Sequence, residues 1–184
     1  MSGFSGAVLA GGRSSRFGSD KARYRYRGKT LLERALASLS GADERFVVSG
    51  RPYAVGVPVY PDVIAGGGPL SGLHAALLYA TRDWVALAAC DLPHLTPTYW
   101  SLLWAERAGA EVVVVRSAAG RLEPLAALYH RALLPTVTEQ LEAGEGRMHA
   151  LVARVNAREV PWERVRAAVG AQVLLNANTP SDLP

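Results

Sequence analysis

The chain has almost no cysteine. Cys90 is the single one among 184 residues, so no disulfide can close within the chain, and a reducing, cytoplasmic compartment is expected. No Cys/His cluster has zinc spacing. No apolar run approaches the roughly 18–20 residues that a spanning helix needs. Met1-Ser2-Gly3 lacks the basic segment and apolar core of a signal peptide, and no membrane partner is expected. Lysine is nearly missing as well: Lys21 and Lys29 stand alone, and every other basic residue is arginine. Asparagine occurs only at positions 156, 176 and 178. Scarce Asn, Gln, Met and Cys fit a heat-stable protein. Internal repeats, low-complexity segments and linkers are all lacking.

What is present is an ordinary globular composition, 49% hydrophobic, with a net charge of +4 and a pI of about 9.5. Such a surface concentrates anionic partners: nucleotides, phosphorylated pterins or nucleic acids. Apolar strands alternate with helical patterns. Ala7-Val8-Leu9, Phe46-Val47-Val48 and Val57-Pro58-Val59-Tyr60 read as strands, the last at an edge because of its proline. Residues 84–89 are continuously apolar, as in a strand buried on both faces, and 112–115 and 125–128 follow. Thr30-Leu31-Leu32-Glu33 is a capping box opening a helix to about Leu39. Further helices are predicted over 71–80, from Thr96-Pro97 to before Gly109, and over 132–143, 148–155 and 162–169. The alternation predicts an α/β protein with a mostly parallel central sheet, and the length suits a single domain over 1–184.

Directly after the first strand comes Leu9-Ala10-Gly11-Gly12-Arg13-Ser14-Ser15-Arg16-Phe17-Gly18-Ser19-Asp20-Lys21. A glycine pair lets backbone approach a ligand closely, successive N–H groups form an anion-binding concavity, and Arg13, Arg16 and Lys21 add charge. The spacing excludes the P-loop, because Gly18 is followed by Ser19 rather than lysine. It also excludes G-x-G-x-x-G, because the glycines are adjacent. On pattern alone the stretch reads either as a triphosphate cradle or as a solvated Gly/Ser loop. In Arg23-Tyr24-Arg25-Tyr26-Arg27, period-two alternation puts arginines and tyrosines on opposite faces of a short strand. A single-strand nucleic-acid platform needs both on one face, so no nucleic-acid partner is expected.

Cys90-Asp91-Leu92-Pro93 follows the buried strand 84–89. Ligands of open α/β sheets bind beyond the carboxyl ends of strands, where an aspartate suits Mg²⁺. The residue reads equally as a turn aspartate before proline. Cys90 reads as a small core residue, since no histidine is placed to activate it. Asp62 alone would be a solvated loop residue.

The glycine loop resembles the signature of the nucleotidyltransferase fold and, more narrowly, the molybdenum cofactor guanylyltransferases, whose pattern is close to L-A-G-G-x-S-x-R-M-G-x-D-K. Leu9 to Lys21 match it, with Phe17 replacing the methionine. Gly11-Gly12 separates the chain from relatives that carry L-A-A-G. Cys90-Asp91-Leu92-Pro93, Pro61-Asp62, the segment 67–72, Glu123-Pro124-Leu125 and the segment 176–183 resemble further segments of that family. One departure is Ser49, where family members can carry asparagine.

The resemblance implies a three-layer α/β/α, Rossmann-like nucleotidyltransferase fold. It also implies a GTP-binding half over about 1–110 and a molybdopterin acceptor half over about 111–184. The implied reaction is transfer of GMP from GTP to the terminal phosphate of molybdopterin or Mo-molybdopterin, with Mg²⁺ as cofactor and pyrophosphate as product. Lys21, Arg16 and Asp91 would be catalytic, and Asp91 would hold the metal. Leu9, Ala10, Gly11, Gly12, Arg13, Lys21, Asp62, Gly68, Pro69, Leu70 and Asp91 would contact GTP. A carboxylate such as Asp62 can accept from both guanine donors, N1–H and the exocyclic amine, a pair that adenine and cytosine lack. Asn176 and Asn178 would meet the pterin, although Asn178 reads equally as a helix cap. Arg147 would supply a cation for the acceptor phosphate. A monomer is expected, with the acceptor handed over by another cofactor-biosynthesis protein. The alternatives are a related enzyme that uses CTP or a sugar-phosphate acceptor, a non-catalytic nucleotide-binding module, and a nucleic-acid binder with steeply salt-dependent affinity.

Overall fold

In this computed structural model, residues 3–11 and 20–183 are described. The chain starts with β1 (Ser5–Leu9). A single 3-10 turn at Lys21–Arg23 leads into a small hairpin, β2 (Arg25–Tyr26) and β3 (Lys29–Thr30). Thr30 then caps α1 (Leu31–Ser38) with the expected capping box: the Glu33 N–H donates to Thr30 Oγ1 at 3.1 Å and the Thr30 N–H to Glu33 Oε2 at 2.7 Å. β4 (Glu44–Val48), β5 (Val59–Tyr60), α2 (Pro69–Tyr79), β6 (Trp84–Ala89) and α3 (Pro97–Ala105) complete the first part. β7 (Val112–Arg116), β8 (Ala126–His130), α4 (Leu134–Glu142), α5 (Met148–Val152), β9 (Ala157–Pro161) and α6 (Trp162–Val169) follow.

The seven-stranded sheet runs in the order β5-β4-β1-β6-β8-β7-β9. β8 is antiparallel to both neighbours, and every other adjacent pair is parallel. Alternate side chains along each strand feed two cores. Val8, Val47, Ala86, Val113 and Val115 face α1, α3 and α6, which contribute Leu36, Tyr99, Trp100, Leu103 and Val165. Ala7, Phe46, Leu87, Val112 and Val114 face α2, α4 and α5, which contribute Leu73, Leu77, Val137 and Leu151. This is the expected three-layer α/β/α architecture. Two large aromatic side chains inside it have their polar atoms paired, as burial demands. The Trp100 indole N–H donates to Ser38 Oγ at 3.1 Å, and the Tyr129 hydroxyl donates to the Pro124 carbonyl at 2.6 Å.

Several local expectations change. The Arg/Tyr alternation does not make one strand: Arg27 (φ 48°) and Gly28 (φ 81°) form the two-residue turn of the β2–β3 hairpin, and both need positive φ. Tyr26 is buried beneath the guanidinium groups of Arg27 and Arg34. The third strand shrinks to Val59–Tyr60. α2 begins at Pro69 rather than residue 71, because proline at the first helical position leaves no N–H to satisfy. α4 and α5 are shorter than predicted, and a 3-10 turn at Arg131–Leu133 precedes α4. β9 has no counterpart in the sequence reading.

A candidate nucleotide-transfer cleft

The carboxyl ends of β1, β4 and β6 open into a cleft of about 870 Å³, where open α/β sheets bind ligands. β1 delivers Leu9, Ala10 and Gly11 to the lining. Gly11 has φ 155°, which a side chain would disfavour. β4 delivers Ser49, Gly50 and Arg51, and Asp62 stands after β5. The amino end of α2 presents Gly68, Pro69, Ser71 and Gly72, a helix terminus whose partial positive charge favours anions. β6 delivers Ala89, Cys90 and Asp91. From the second half of the chain, Leu125 and Asn178 complete the lining among the described residues.

Lys21 and Asp91 meet across the cleft, with Nζ 3.4 Å from Oδ2. Both are only partly exposed, with side chains 14% and 27% accessible. The Asp91 carboxylate stands at a strand end and faces open space, a donor suited to a cation that takes few protein carboxylates and fills its shell with water and phosphate oxygens. Among the described residues no three acidic, histidine or cysteine side chains gather into a cage, so the donor set fits Mg²⁺ shared with a nucleotide rather than a closed all-protein site. The Cys90 thiol is pushed up to about 12 by burial, with the Asp91 carboxylate adding to the effect. It stays protonated and is a core residue, as expected.

The remaining expected residues divide. Asp62 lines the same cleft as the Lys21–Asp91 pair, its carboxyl raised above its ordinary value by desolvation. Gly68 and Pro69 line the cleft, but Leu70, in the first turn of α2, is fully buried, so its side chain faces the core instead. Asn178 reaches the lining, and Asn176 is exposed outside it. Arg147 turns to its neighbour Glu145, with Nη2 2.5 Å from Oε2 and the side chain 81% exposed. The cation expected for an acceptor phosphate is therefore not aimed at the cleft. Gly12, Arg13 and Arg16 lie outside the described residues. Glu123, half-buried, has its carboxyl raised chiefly by burial, with Asp91 adding and Arg121 and His149 opposing.

The C-terminal segment is tied to this site through its backbone. The Ala177 N–H donates to the Asp91 carbonyl at 2.9 Å. The Asp182 carboxylate accepts from the N–H groups of Asn178 at 2.8 Å and Thr179 at 2.7 Å, which hold its pKa low, helped by the charge of Lys21. A single 3-10 turn at Pro180–Asp182 replaces the terminal helix that would have made Asn178 an ordinary cap.

Two features of the cleft had no role in the sequence reading. Asp20 caps the turn that carries Lys21, its Oδ1 accepting from the Ala22 N–H at 3.1 Å. It also accepts from the Tyr53 hydroxyl at 2.9 Å, and Arg51 approaches it at 3.7 Å. An aspartate directly before the loop lysine was the available signal. Tyr53 carried none, because its role depends on tertiary contact.

Comparison with known proteins agrees with this fold. The MobA-like NTP transferase domain family matches residues 6–160. A Deinococcus radiodurans protein named "Probable molybdenum cofactor guanylyltransferase" is 41% identical over 182 residues, covering 96% of this chain and 90% of that protein. A Pelotomaculum thermopropionicum protein of the same name is 34% identical over 97% of this chain and 89% of its own length. Among solved structures, molybdopterin-guanine dinucleotide biosynthesis protein A from Archaeoglobus fulgidus superposes with a TM-score of 0.83 at 26% identity, covering 98% of this chain and 95% of that one. A 2-C-methyl-D-erythritol 4-phosphate cytidylyltransferase from Thermus thermophilus shares the fold, with a TM-score of 0.68 at 18% identity over 100% of this chain and 96% of that one. With a match spanning most of its length and relatives above 30% identity, the chain belongs to the MobA-like NTP transferase domain family.

Proposed function

We propose that this nucleotidyltransferase moves GMP from GTP to the terminal phosphate of molybdopterin, releasing pyrophosphate. The observation that carries the reading is the Lys21–Asp91 pair, 3.4 Å apart at the carboxyl end of β6, in a cleft that Asp62 also lines. The names of the relatives supply the acceptor.

In this reaction an oxygen of the acceptor phosphate attacks the α-phosphorus of GTP. The bond from that phosphorus to the bridging oxygen breaks, and pyrophosphate leaves with the electron pair. The attacking oxygen is already anionic, so no strong general base is required. Catalysis is then alignment and charge neutralisation. Backbone groups of Leu9 to Gly11 and the amino end of α2 receive the nucleotide. Lys21 offsets charge on the triphosphate and on departing pyrophosphate. Asp62 accepts from guanine. Asp91 would hold Mg²⁺, which supplies neutralisation of phosphate charge and screens repulsion between the two anionic reactants. Asn178 meets the acceptor from the tail. Residues 1–110 thus form the nucleotide side and 111–184 the acceptor side of one domain.

Purified protein incubated with molybdopterin, Mg²⁺ and each NTP in turn should consume GTP and yield molybdopterin guanine dinucleotide. Transfer from CTP and not GTP would overturn the base assignment.

A further inference from the structure

Lys21 is not held by Asp91 alone. At 3.4 Å that contact is long for a charge-assisted hydrogen bond, so the direction of the ammonium depends on the turn that bears it. That turn is fixed in part by the loop that follows β4. Asp20, whose side chain is only 17% exposed, caps the turn through the Ala22 N–H. Its Oδ2 accepts from the Tyr53 hydroxyl at 2.9 Å, while Oδ1 is 3.2 Å from the same oxygen. Arg23 closes the circuit. Its Nε is 3.4 Å from Asp20, its Nη2 donates to the Pro52 carbonyl at 2.9 Å, and its guanidinium lies 5.1 Å from the Tyr53 ring centre. The Tyr53 hydroxyl, the Pro52 carbonyl and the Tyr53 ring thus join the turn 20–23 to the loop that follows β4. That same loop sends Ser49 and Arg51 into the cleft, and the Ser49 hydroxyl accepts from the Arg51 N–H at 3.0 Å.

We propose that Tyr53 and Asp20 are positioning residues for Lys21: the Tyr53 hydroxyl orients the Asp20 carboxylate, and Asp20, by capping the turn, sets the line along which the ammonium enters the cleft. The proposal rests on assigning the cleft to a nucleoside triphosphate. It makes the wall after β4 and the phosphate-handling turn one unit, so that nucleotide held by the first is presented correctly to the second. Burial and the adjacent Asp20 carboxylate push the Tyr53 hydroxyl up to about 12, so it remains a donor throughout the physiological range.

The chain offers an unusual readout, since Lys21 and Lys29 are its only lysines. Protein labelled with ¹³Cε-lysine gives two side-chain signals, and Lys29→Arg assigns them. In Tyr53→Phe the Lys21 signal should move while that of Lys29, on the exposed hairpin, stays in place. Unchanged Lys21 in a folded Tyr53→Phe protein overturns the proposal, whatever the enzyme transfers. Kinetically, Tyr53→Phe should lower kcat for GMP transfer roughly tenfold with KM for GTP within twofold. The same substitution placed on Lys21→Ala should cost nothing further, because the group it positions is gone. An equal loss in both backgrounds would mean a general structural effect and sink the idea. Asp20→Asn keeps an oxygen for Ala22 and Tyr53 but drops the charge, and should give an intermediate loss. If Tyr53→Phe fails to fold, Asp20→Asn carries the same lysine-signal test. Absence of GTP binding to the wild-type protein by calorimetry would remove the function assignment, while the lysine signals would still decide the positioning role.

Discussion

The two sides of the cleft are built by different means. On the proposed nucleotide side the lining comes from strand ends, the Lys21 turn and the amino end of α2, and side chains brace one another: Lys21 against Asp91, Asp20 against Tyr53. On the proposed acceptor side the described lining is Leu125 and Asn178, and the tail carrying Asn178 is held by main-chain donors, Ala177 to Asp91 and Asn178 and Thr179 to Asp182. The difference follows from topology. Parallel strands all end at one edge of the sheet, so β1, β4 and β6 converge loops there without further help. The reversed β8 ends at the other edge, and the acceptor wall must be supplied by the β7–β8 connection and a returning tail. In the proposed reaction, charge handling would therefore sit on side chains braced against one another and acceptor contact on a backbone-tethered segment.

The largest expected effect tests that division directly. Lys21→Ala or Asp91→Ala should lower kcat for GMP transfer by roughly 100-fold or more, the usual result of deleting a group that stabilises charge in the transition state. If Asn178→Ala fell as far, the acceptor wall would be doing the same chemistry and the comparison would fail. Next is Gly146, in the loop between α4 and α5. A Cβ there would stand 2.7 Å from the Gly67 carbonyl oxygen, a backbone atom that cannot swing away. Gly146→Ala should cost about 1–3 kcal/mol of stability, as for other overpacked contacts. It should also weaken GTP binding, because Gly67 belongs to the loop that presents Gly66, Gly68 and Pro69 to the cleft. A fall in Tm with unchanged GTP affinity would show the two sides to be mechanically independent.

The comparison also explains what could be read in advance. The central sheet was legible because its strands are buried on both faces: 84–89 and 112–115 are apolar runs with no other good interpretation. β9 was not, since Arg158 and Glu159 are exposed and its last residue is Pro161, so period and composition both argue against a strand. It forms because β7 offers an edge, and an Arg116–Glu159 ion pair at 2.6 Å spans the two. In the cleft, Lys21 and Asp91 are 70 positions apart, yet each is embedded in a local motif that names it. Tyr53 has no such motif, and its partner Asp20 lies 33 positions away. The inward turn of the Leu70 side chain was hidden for a related reason: a glycine-proline segment reads as loop, but Pro69 starts a helix that turns Leu70 inward.

A smaller effect concerns Asp62, whose carboxyl is raised above its ordinary value of 3.8 by desolvation. A carboxyl that is harder to ionise in the folded state favours folding below its unfolded pKa, and that contribution is lost as pH rises through the folded value. Asp62→Asn should thus be slightly more stable than wild type at pH 7, with the difference vanishing below about pH 4. The variant should also lose preference for GTP over ITP by roughly tenfold, since the pair of hydrogen bonds from guanine N1–H and N2–H is broken. A gain in stability with discrimination intact would keep Asp62 on the wall and remove it from base reading.

The smallest effect separates the two asparagines of the tail. Asn178 lines the cleft and its backbone N–H is already taken by Asp182, which leaves the side chain to meet a ligand. Asn178→Ala should raise KM for molybdopterin roughly fivefold, the value of about one hydrogen bond, with KM for GTP unchanged. Asn176 is exposed and outside the lining, one residue before the anchor that Ala177 makes to Asp91. Asn176→Ala should leave both constants within about twofold. Should Asn176→Ala instead match Asn178→Ala, the tail must rearrange when acceptor binds, and the tethered wall would be a moving part rather than a fixed one.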